Sequence, residues 1–188
     1  ATEGTITAIK KVSNLGAIDD SLFRAVRADE KFILKDIMVN PMKISHDAAQ
    51  PVAYRFQYGS RRMAVATDLG MYDEYTVECL RGMDALLLEA NHDINMLQVG
   101  PYPYALKQRI LGKKGHLSNE LSGRLLSRLL HDNLKTVFLG HLSKENNMAE
   151  LAYETVRLEI SMADNPYKPD DFPIFVASRS EMSRLVEI

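Results

Sequence analysis

Met83 to Leu88 is a nearly continuous apolar run, broken only by Asp84, and it ends on Glu89. A run of that length without alternation reads as a strand buried on both faces, the kind found inside parallel sheets. Val137 to Leu139 is a second buried strand. Leu117, Leu121, Leu125 and Leu129 recur at spacing four, which predicts an amphipathic helix over Leu117 to His131, with Ser118 or Asn119 as its cap. Met148, Ala152, Val156 and Ile160 mark another helix, with Asn146 or Asn147 as its cap. Strands alternating with helices mean an α/β fold.

The first half is richer in hairpins, so the predicted sheet is mixed. Thr5 to Val12 opens as a short helix, and Asp19 to Val26 is weakly helical. Lys31 to Ser45 reads as two strands with a turn or bulge at Asn40-Pro41. Val52 to Tyr58 alternates as a half-buried strand, Gly59-Ser60 turns the chain, and Met63 to Thr67 returns it. Met71 to Arg81 is a helix. Asn91 to Gly115 reads as a long irregular loop, stiffened by Pro101 and Pro103, and Phe172 to Ala177 as a last short strand.

Composition narrows the function classes. A length of 188 residues suits one domain or most of one, and 46% hydrophobic residues suffice for a core. A net charge of -2 gives no global field for nucleic acid, so any such binding must come from local basic patches. The single cysteine, Cys79, excludes an intrachain disulfide and reads as an inert buried thiol in a reducing compartment. No apolar run is long enough to span a bilayer, so no membrane is expected and the cytoplasm is the default address.

Three short stretches carry metal-binding side chains just behind predicted strands: Ser45-His46-Asp47, Thr67-Asp68-Leu69-Gly70 and Gly140-His141-Leu142-Ser143. Strand ends at one edge of a sheet converge, and His and Asp suit zinc or a similar transition metal. Each residue also has an ordinary reading: His46 as a solvated loop histidine, Asp68 as a helix cap. Glu89 closes an apolar strand, where an unpaired carboxylate is costly, and His116 precedes a helix. A Glu that orients a His fixes its tautomer, although Glu89 could instead meet a Lys or Arg. His131, late in a helix, reads as structural. Lys107, Arg109, Lys113 and Lys114 form one basic cluster and Arg61-Arg62 another; either is a solvated face or a set of phosphate contacts.

Read in order, Ser-His-Asp, Thr-Asp-Leu-Gly, Leu-Glu-Ala-Asn-His-Asp, Gly-His-Leu-Ser-Asn and Gly-His-Leu-Ser resemble the metallo-β-lactamase-fold hydrolases, and within them the bacterial branch called YycJ, WalJ or VicX. Gly100-Pro101-Tyr102-Pro103 and the stretch from Glu89 to Asn119 look especially like that branch. The similarity runs from Ala1 to the C-terminus, and the motif order is also similar to that of the ribonuclease Z enzymes. The resemblance implies an αββα sandwich and a metal-dependent phosphodiesterase, a nuclease with 5′-to-3′ exonuclease character in DNA repair. It implies two divalent ions, zinc, manganese or iron. His46, Asp68 and His141 would be metal ligands, with Asp68 bridging both ions, and Glu89 and His116 would handle the scissile phosphate. His92 would be an extra ligand or substrate contact, and Arg109, Lys113 and Lys114 would hold a nucleic acid substrate. The family's His-x-His-x-Asp-His signature is absent, so the chain looks like the C-terminal two-thirds of a single domain (residues 1–188) whose N-terminal segment supplies the other ligands. Two other classes remain open: a hydrolase of a small ester, thioester or lactam, and a non-catalytic regulatory protein.

Overall fold

The computed structural model describes residues 1–188. Seven strands form one sheet in sequential order: β1 (Phe32–Leu34), β2 (Ile37–Lys43), β3 (Val52–Tyr58), β4 (Arg61–Ala66), β5 (Ala85–Glu89), β6 (Thr136–Gly140) and β7 (Ile174–Val176). The first four pair antiparallel and the last four, from β4 onward, pair parallel, so the sheet is mixed as the pattern predicts. Two successive hairpins make β2 run in the same direction as β4. The ends of β2, β4, β5 and β6 therefore share one edge.

Six α-helices accompany the sheet: α1 (Glu3–Lys10), α2 (Glu74–Leu80), α3 (Ile94–Val99), α4 (Tyr104–Leu111), α5 (Asn119–Leu129) and α6 (Ala149–Met162). Leu86, Leu88, Val137 and Leu139 point into the main core and meet Val77 and Leu80 of α2, Leu125, Leu126 and Leu129 of α5, and Val156 and Ile160 of α6. Cys79 is in this core, and burial raises its thiol pKa, as an inert thiol requires. No helix is long and apolar enough to cross a membrane.

The opposite face carries a row that runs through the strand registers: Tyr54, Val65, Leu87, Phe138 and Phe175. These side chains are half-buried, so β5 is buried fully only on its helix side, and the expectation of two equally covered faces is corrected. The chain's last residues return across this face. The Arg184 guanidinium lies 4.8 Å from the Phe175 ring centre, and Ile188 lies beside Phe56 and Met63. One sheet with one helical layer is the α/β unit from which an αββα sandwich is built twice.

Several local expectations change. Pro41 does not break a strand, because β1 pairs only as far as Val39 and the segment beside Pro41 asks only for its carbonyl, which accepts from Asp29 N at 2.8 Å. The turn falls instead at Lys35, whose φ is 58°. Asp19 to Val26 holds only a short 3₁₀ turn at Asp20–Leu22. Asn91 to Gly115 is not irregular but contains α3 and α4, opened by an Asp93 cap that accepts from Met96 N at 2.7 Å and by Pro103. The stripe on α5 shifts by one position: Leu121 is exposed, while Ser122, Leu125, Leu126 and Leu129 are buried. Asn147 holds the start of α6 by accepting from Met148 N at 2.9 Å, though Met148 is itself the cap position.

Helices α5 and α6 touch most closely at Gly123, where an added Cβ would lie 2.6 Å from Glu159 Cβ and 3.1 Å from Val156 Cα. Gly123→Ala should gain helix propensity of about 1 kcal/mol yet lose more through overpacking, about 1–3 kcal/mol. The expected net outcome is a lower midpoint in thermal unfolding; a raised midpoint would show that the two helices separate freely.

Candidate metal centre at the sheet edge

Glu89 ends β5 and is fully buried. Its Oε1 lies 2.8 Å from His116 Nδ1 and 2.6 Å from His141 Nδ1. Its Oε2 accepts from Leu69 N at 2.7 Å and Leu117 N at 3.3 Å. Four donors use the four lone-pair directions of a carboxylate. Burial alone would raise the Glu89 pKa, but the hydrogen bonds from His116 and His141 outweigh it and hold the group below its usual range. His141 is raised, chiefly by its hydrogen bond to Glu89 and against its own burial. With both Nδ1 atoms donating to Glu89, the coordinating or proton-handling atom of each ring is Nε2.

Asp68 and His141 follow the ends of β4 and β6 in the left-handed region, with φ of 62° and 57°. Asp68 is not a helix cap; that place belongs to Asp73, which accepts from Thr76 N at 2.9 Å. Asp68 Oδ1 instead lies 3.8 Å from Nδ1 of both His116 and His141 and 3.6 Å from His46 Nε2. Asn91 stabilises the turn at His141 by donating to its carbonyl at 2.8 Å.

His46 belongs to a loop that is tied down by backbone. Ser45 Oγ donates to Lys113 O at 2.7 Å, Asp47 N to Lys114 O at 3.1 Å, and His46 Nδ1 bonds Gly115 O at 2.9 Å. Gly70 N closes the set on Ser45 O at 2.7 Å, and a Cβ at Gly70 would meet Lys113 O at 2.4 Å. Only glycine admits that approach. The Gly115 carbonyl accepts from His46 Nδ1, which leaves Nε2 facing two carboxylates, Asp47 Oδ1 at 3.5 Å and Asp68 Oδ1 at 3.6 Å. Two electron-rich atoms at 3.6 Å repel unless a proton or a cation lies between them. Ligands bonded to zinc at about 2.1 Å stand roughly 3.4 Å apart, so this spacing fits an ion. Ligand-capable atoms of Asp68, Glu89, His116 and His141 lie within 4.8 Å of one another. Glu89 is the member whose oxygens are already engaged, which makes it the group that orients the two rings.

The cluster opens into a groove of ≈ 510 Å³. Arg109 lines it, but its guanidinium is paired with Asp47, Nη2 to Oδ1 at 2.9 Å. That bond holds the Asp47 carboxyl below its ordinary pKa. Lys113 and Lys114 have exposed side chains that do not line the groove, and their carbonyls hold the His46 loop. His92 is corrected. It is 1% exposed, stands outside the cluster and cannot touch a substrate as placed. Burial pulls its pKa down to about 4, so the ring is neutral. His131 is structural, with Nε2 3.0 Å from Met83 O. Tyr102, Lys144 and Arg179 line the groove and were not picked out from the sequence. Tyr102 lies in the Gly-Pro-Tyr-Pro motif and Lys144 directly follows Gly-His-Leu-Ser, which are signals that position alone offers; Arg179 has none.

Comparison with known proteins follows this geometry. The chain is 36% identical over all 188 residues to the exodeoxyribonuclease WalJ of Streptococcus pneumoniae and spans 70% of that protein's length. It is 37% identical over 145 residues to the exodeoxyribonuclease YycJ of Bacillus anthracis, covering 73% of this chain and 55% of the relative. No family model matches. Among solved structures, the metallo-β-lactamase fold protein YhfI of Bacillus subtilis superposes with a TM-score of 0.57 at 15% identity, covering 82% of this chain and 52% of that one, which is a likeness of fold.

The Glu89–His141 pair makes a testable pH signature in the metal-free chain. A lowered carboxyl contributes stability that is complete above its unfolded value, 4.5, and lost as pH falls through its folded one. A raised histidine contributes stability that is complete below its unfolded value, 6.5, and lost as pH rises through its folded one. The pair should therefore stabilise most between pH 4.5 and 6.5. Glu89→Gln should flatten that window in thermal unfolding with a chelator present and return His141 toward its ordinary pKa by NMR. An unchanged His141 titration would rule out Glu89 as its partner.

Proposed function

Because the chain belongs to the WalJ and YycJ exodeoxyribonuclease family of metallo-β-lactamase-fold proteins, we propose that it is a metal-dependent phosphodiesterase that degrades DNA from an end. The observation that carries the reading is the facing of His46 Nε2 and Asp68 Oδ1 beside the two Glu89-bound imidazoles, a donor set in want of a cation. His46, Asp68 and His141 are the residues that would hold metal, with Asp68 placed to be shared if two ions bind. The chain has no His-x-His-x-Asp-His run, so the second ion of a two-metal centre would need ligands from outside these residues. Bound metal would supply Lewis acidity toward the phosphate and a nucleophilic water at neutral pH.

The chain's own groups account for the rest of the chemistry. His116 is fixed by Glu89 through Nδ1, which presents Nε2 to the groove to donate a hydrogen bond to a phosphate oxygen or a proton to the leaving oxygen. Glu89 favours the charged form of His141 and keeps the orientation of both rings without touching the substrate. Lys144 and Arg179 bring positive charge to the groove for backbone phosphates. Tyr102 offers a ring on which a base can stack, a contact indifferent to sequence.

Asp68→Asn retains the tolerance of the left-handed backbone and the side-chain volume but removes the charge. In the full-length protein it should lower DNA hydrolysis by at least about 100-fold, on the scale of losing a charge that stabilises the transition state. Chelation should abolish turnover and added Zn²⁺ or Mn²⁺ should restore it. Lys144→Ala should raise KM for DNA several-fold with kcat little changed. Turnover of a thioester or β-lactam substrate in place of DNA, or full activity of Asp68→Asn, would overturn the reading.

A further inference from the structure

A second cationic hollow lies at the other end of the same strands. Arg55 of β3, Arg62 of β4, Arg81 just after α2, and Lys31 just before β1 line a cavity of ≈ 230 Å³ beneath the C-terminal end of α2. Arg62 opens the strand that Asp68 follows. Six residues at about 3.3 Å each place the two sites roughly 20 Å apart. None of the four cations has a carboxylate partner in an ion pair. The one acidic residue in the lining, Glu78, is exposed.

Arg55 is the centre of the hollow. Its Nη1 donates to Cys79 O at 3.2 Å, and with the Asn40 amide turned over its Nη2 donates to the Asn40 side-chain oxygen at 2.7 Å. Its Nε is buried and has no hydrogen-bond partner. A guanidinium stays charged at any physiological pH, so an unsatisfied, sealed N–H on it is costly. Capping the last turn of α2 explains the Nη1 bond but not Nε, Arg62, Arg81 or Lys31. Four cations against one carboxylate leave a local charge of +3 (4 − 1). A single carboxylate ligand would leave most of that charge unmatched, whereas a tetrahedral oxyanion presents several acceptors in the fork geometry of guanidinium.

We propose that this hollow is a phosphoryl-binding site, distinct from the metal centre, with the exposed Arg62, Arg81 and Lys31 as its donors and the Arg55 guanidinium as the charge beneath them. The phosphoryl group could belong to a free monoester or inorganic phosphate, or to the backbone of a nucleic acid strand. The inference does not rest on the nuclease reading.

The test is NMR of the arginine Nε–Hε resonances in the metal-free full chain, titrated with inorganic phosphate, with thymidine monophosphate, and with a dinucleoside phosphodiester lacking terminal phosphates. The Arg55 signal should shift and saturate. Arg62→Gln with Arg81→Gln, both exposed and safe for folding, should weaken that saturation by about tenfold, the scale of one lost charge-assisted hydrogen bond. Saturation by the monoester alone assigns the site to a free phosphate, and saturation by the diester as well assigns it to a strand backbone. No saturable shift at Arg55, affinity unchanged in the double variant, or shifts confined to His116 and His141 would overturn the proposal.

Discussion

The buried carboxylate of Glu89 is the interaction on which the rest of the site depends. It joins, through four donors, three pieces of chain that are distant in sequence: the turn after β4 through Leu69, the adjacent His116 and Leu117 just before α5, and His141 after β6. Removing any one donor would leave a charge in the interior short of a partner, so the four are held jointly. That coupling explains how a cluster at the rim of a sheet, with Asp68 and His141 both partly exposed, can have fixed geometry. It also divides the roles. A carboxylate that has spent its lone pairs on the protein orients ligands, while Asp68, which takes none of the chain's hydrogen bonds, is left to meet an ion.

The topology supplies the other half. Parallel strands β4, β5 and β6 would bring Asp68, Glu89 and His141 to one edge in any α/β sheet. His46 joins them for a different reason. Two antiparallel hairpins return β2 to the direction of β4, so the loop after β2 arrives at the same rim. The segment from Lys113 to Gly115 then pins that loop with three backbone carbonyls. The open side of the sheet, with its row of Tyr54, Val65, Leu87, Phe138 and Phe175, is the surface on which an αββα sandwich would stack its other sheet. Half-burial there, beside full burial on the helix side, is what one half of a two-layer core looks like.

Much of this was legible in the sequence, and the residues show why. Long unbroken apolar runs such as Ala85 to Leu88 leave a strand no alternative, and a metal-type side chain right behind each run places the cluster at the strand ends. The cost of an isolated carboxylate in an apolar strand demanded a partner for Glu89 but left His116 and a Lys or Arg as alternatives, between which only the family resemblance chose. Its second partner, His141, was not legible, because nothing in the sequence says that one carboxylate oxygen can serve two rings at once. Helices α3 and α4 were hidden because they are only 6 and 8 residues long and bury one large side chain each, Leu97 and Ile110. Their signals were caps, Asp93 and Pro103, rather than periodicity. The basic segment shows a role that charge alone does not signal: Lys113 and Lys114 contribute their carbonyls to the His46 loop, and Arg109 is paired with Asp47.

The backbone at the cluster holds two of its residues in the left-handed region, a conformation the chain also adopts at Asp29, Lys35 and Gln50. Asp68 and His141 both stand in the left-handed region, where a residue with a Cβ costs about 1–2 kcal/mol relative to its ordinary conformation. Glycine would remove that cost at either position, and Gly70 and Gly140 show that the chain uses glycine immediately nearby. The Leu69 N–H bond to Glu89 and the Asn91 bond to the His141 carbonyl fix those two turns from either side. Each of these two left-handed turns is thus anchored by a hydrogen bond, one from the residue next to Asp68 and one to the carbonyl of His141 itself.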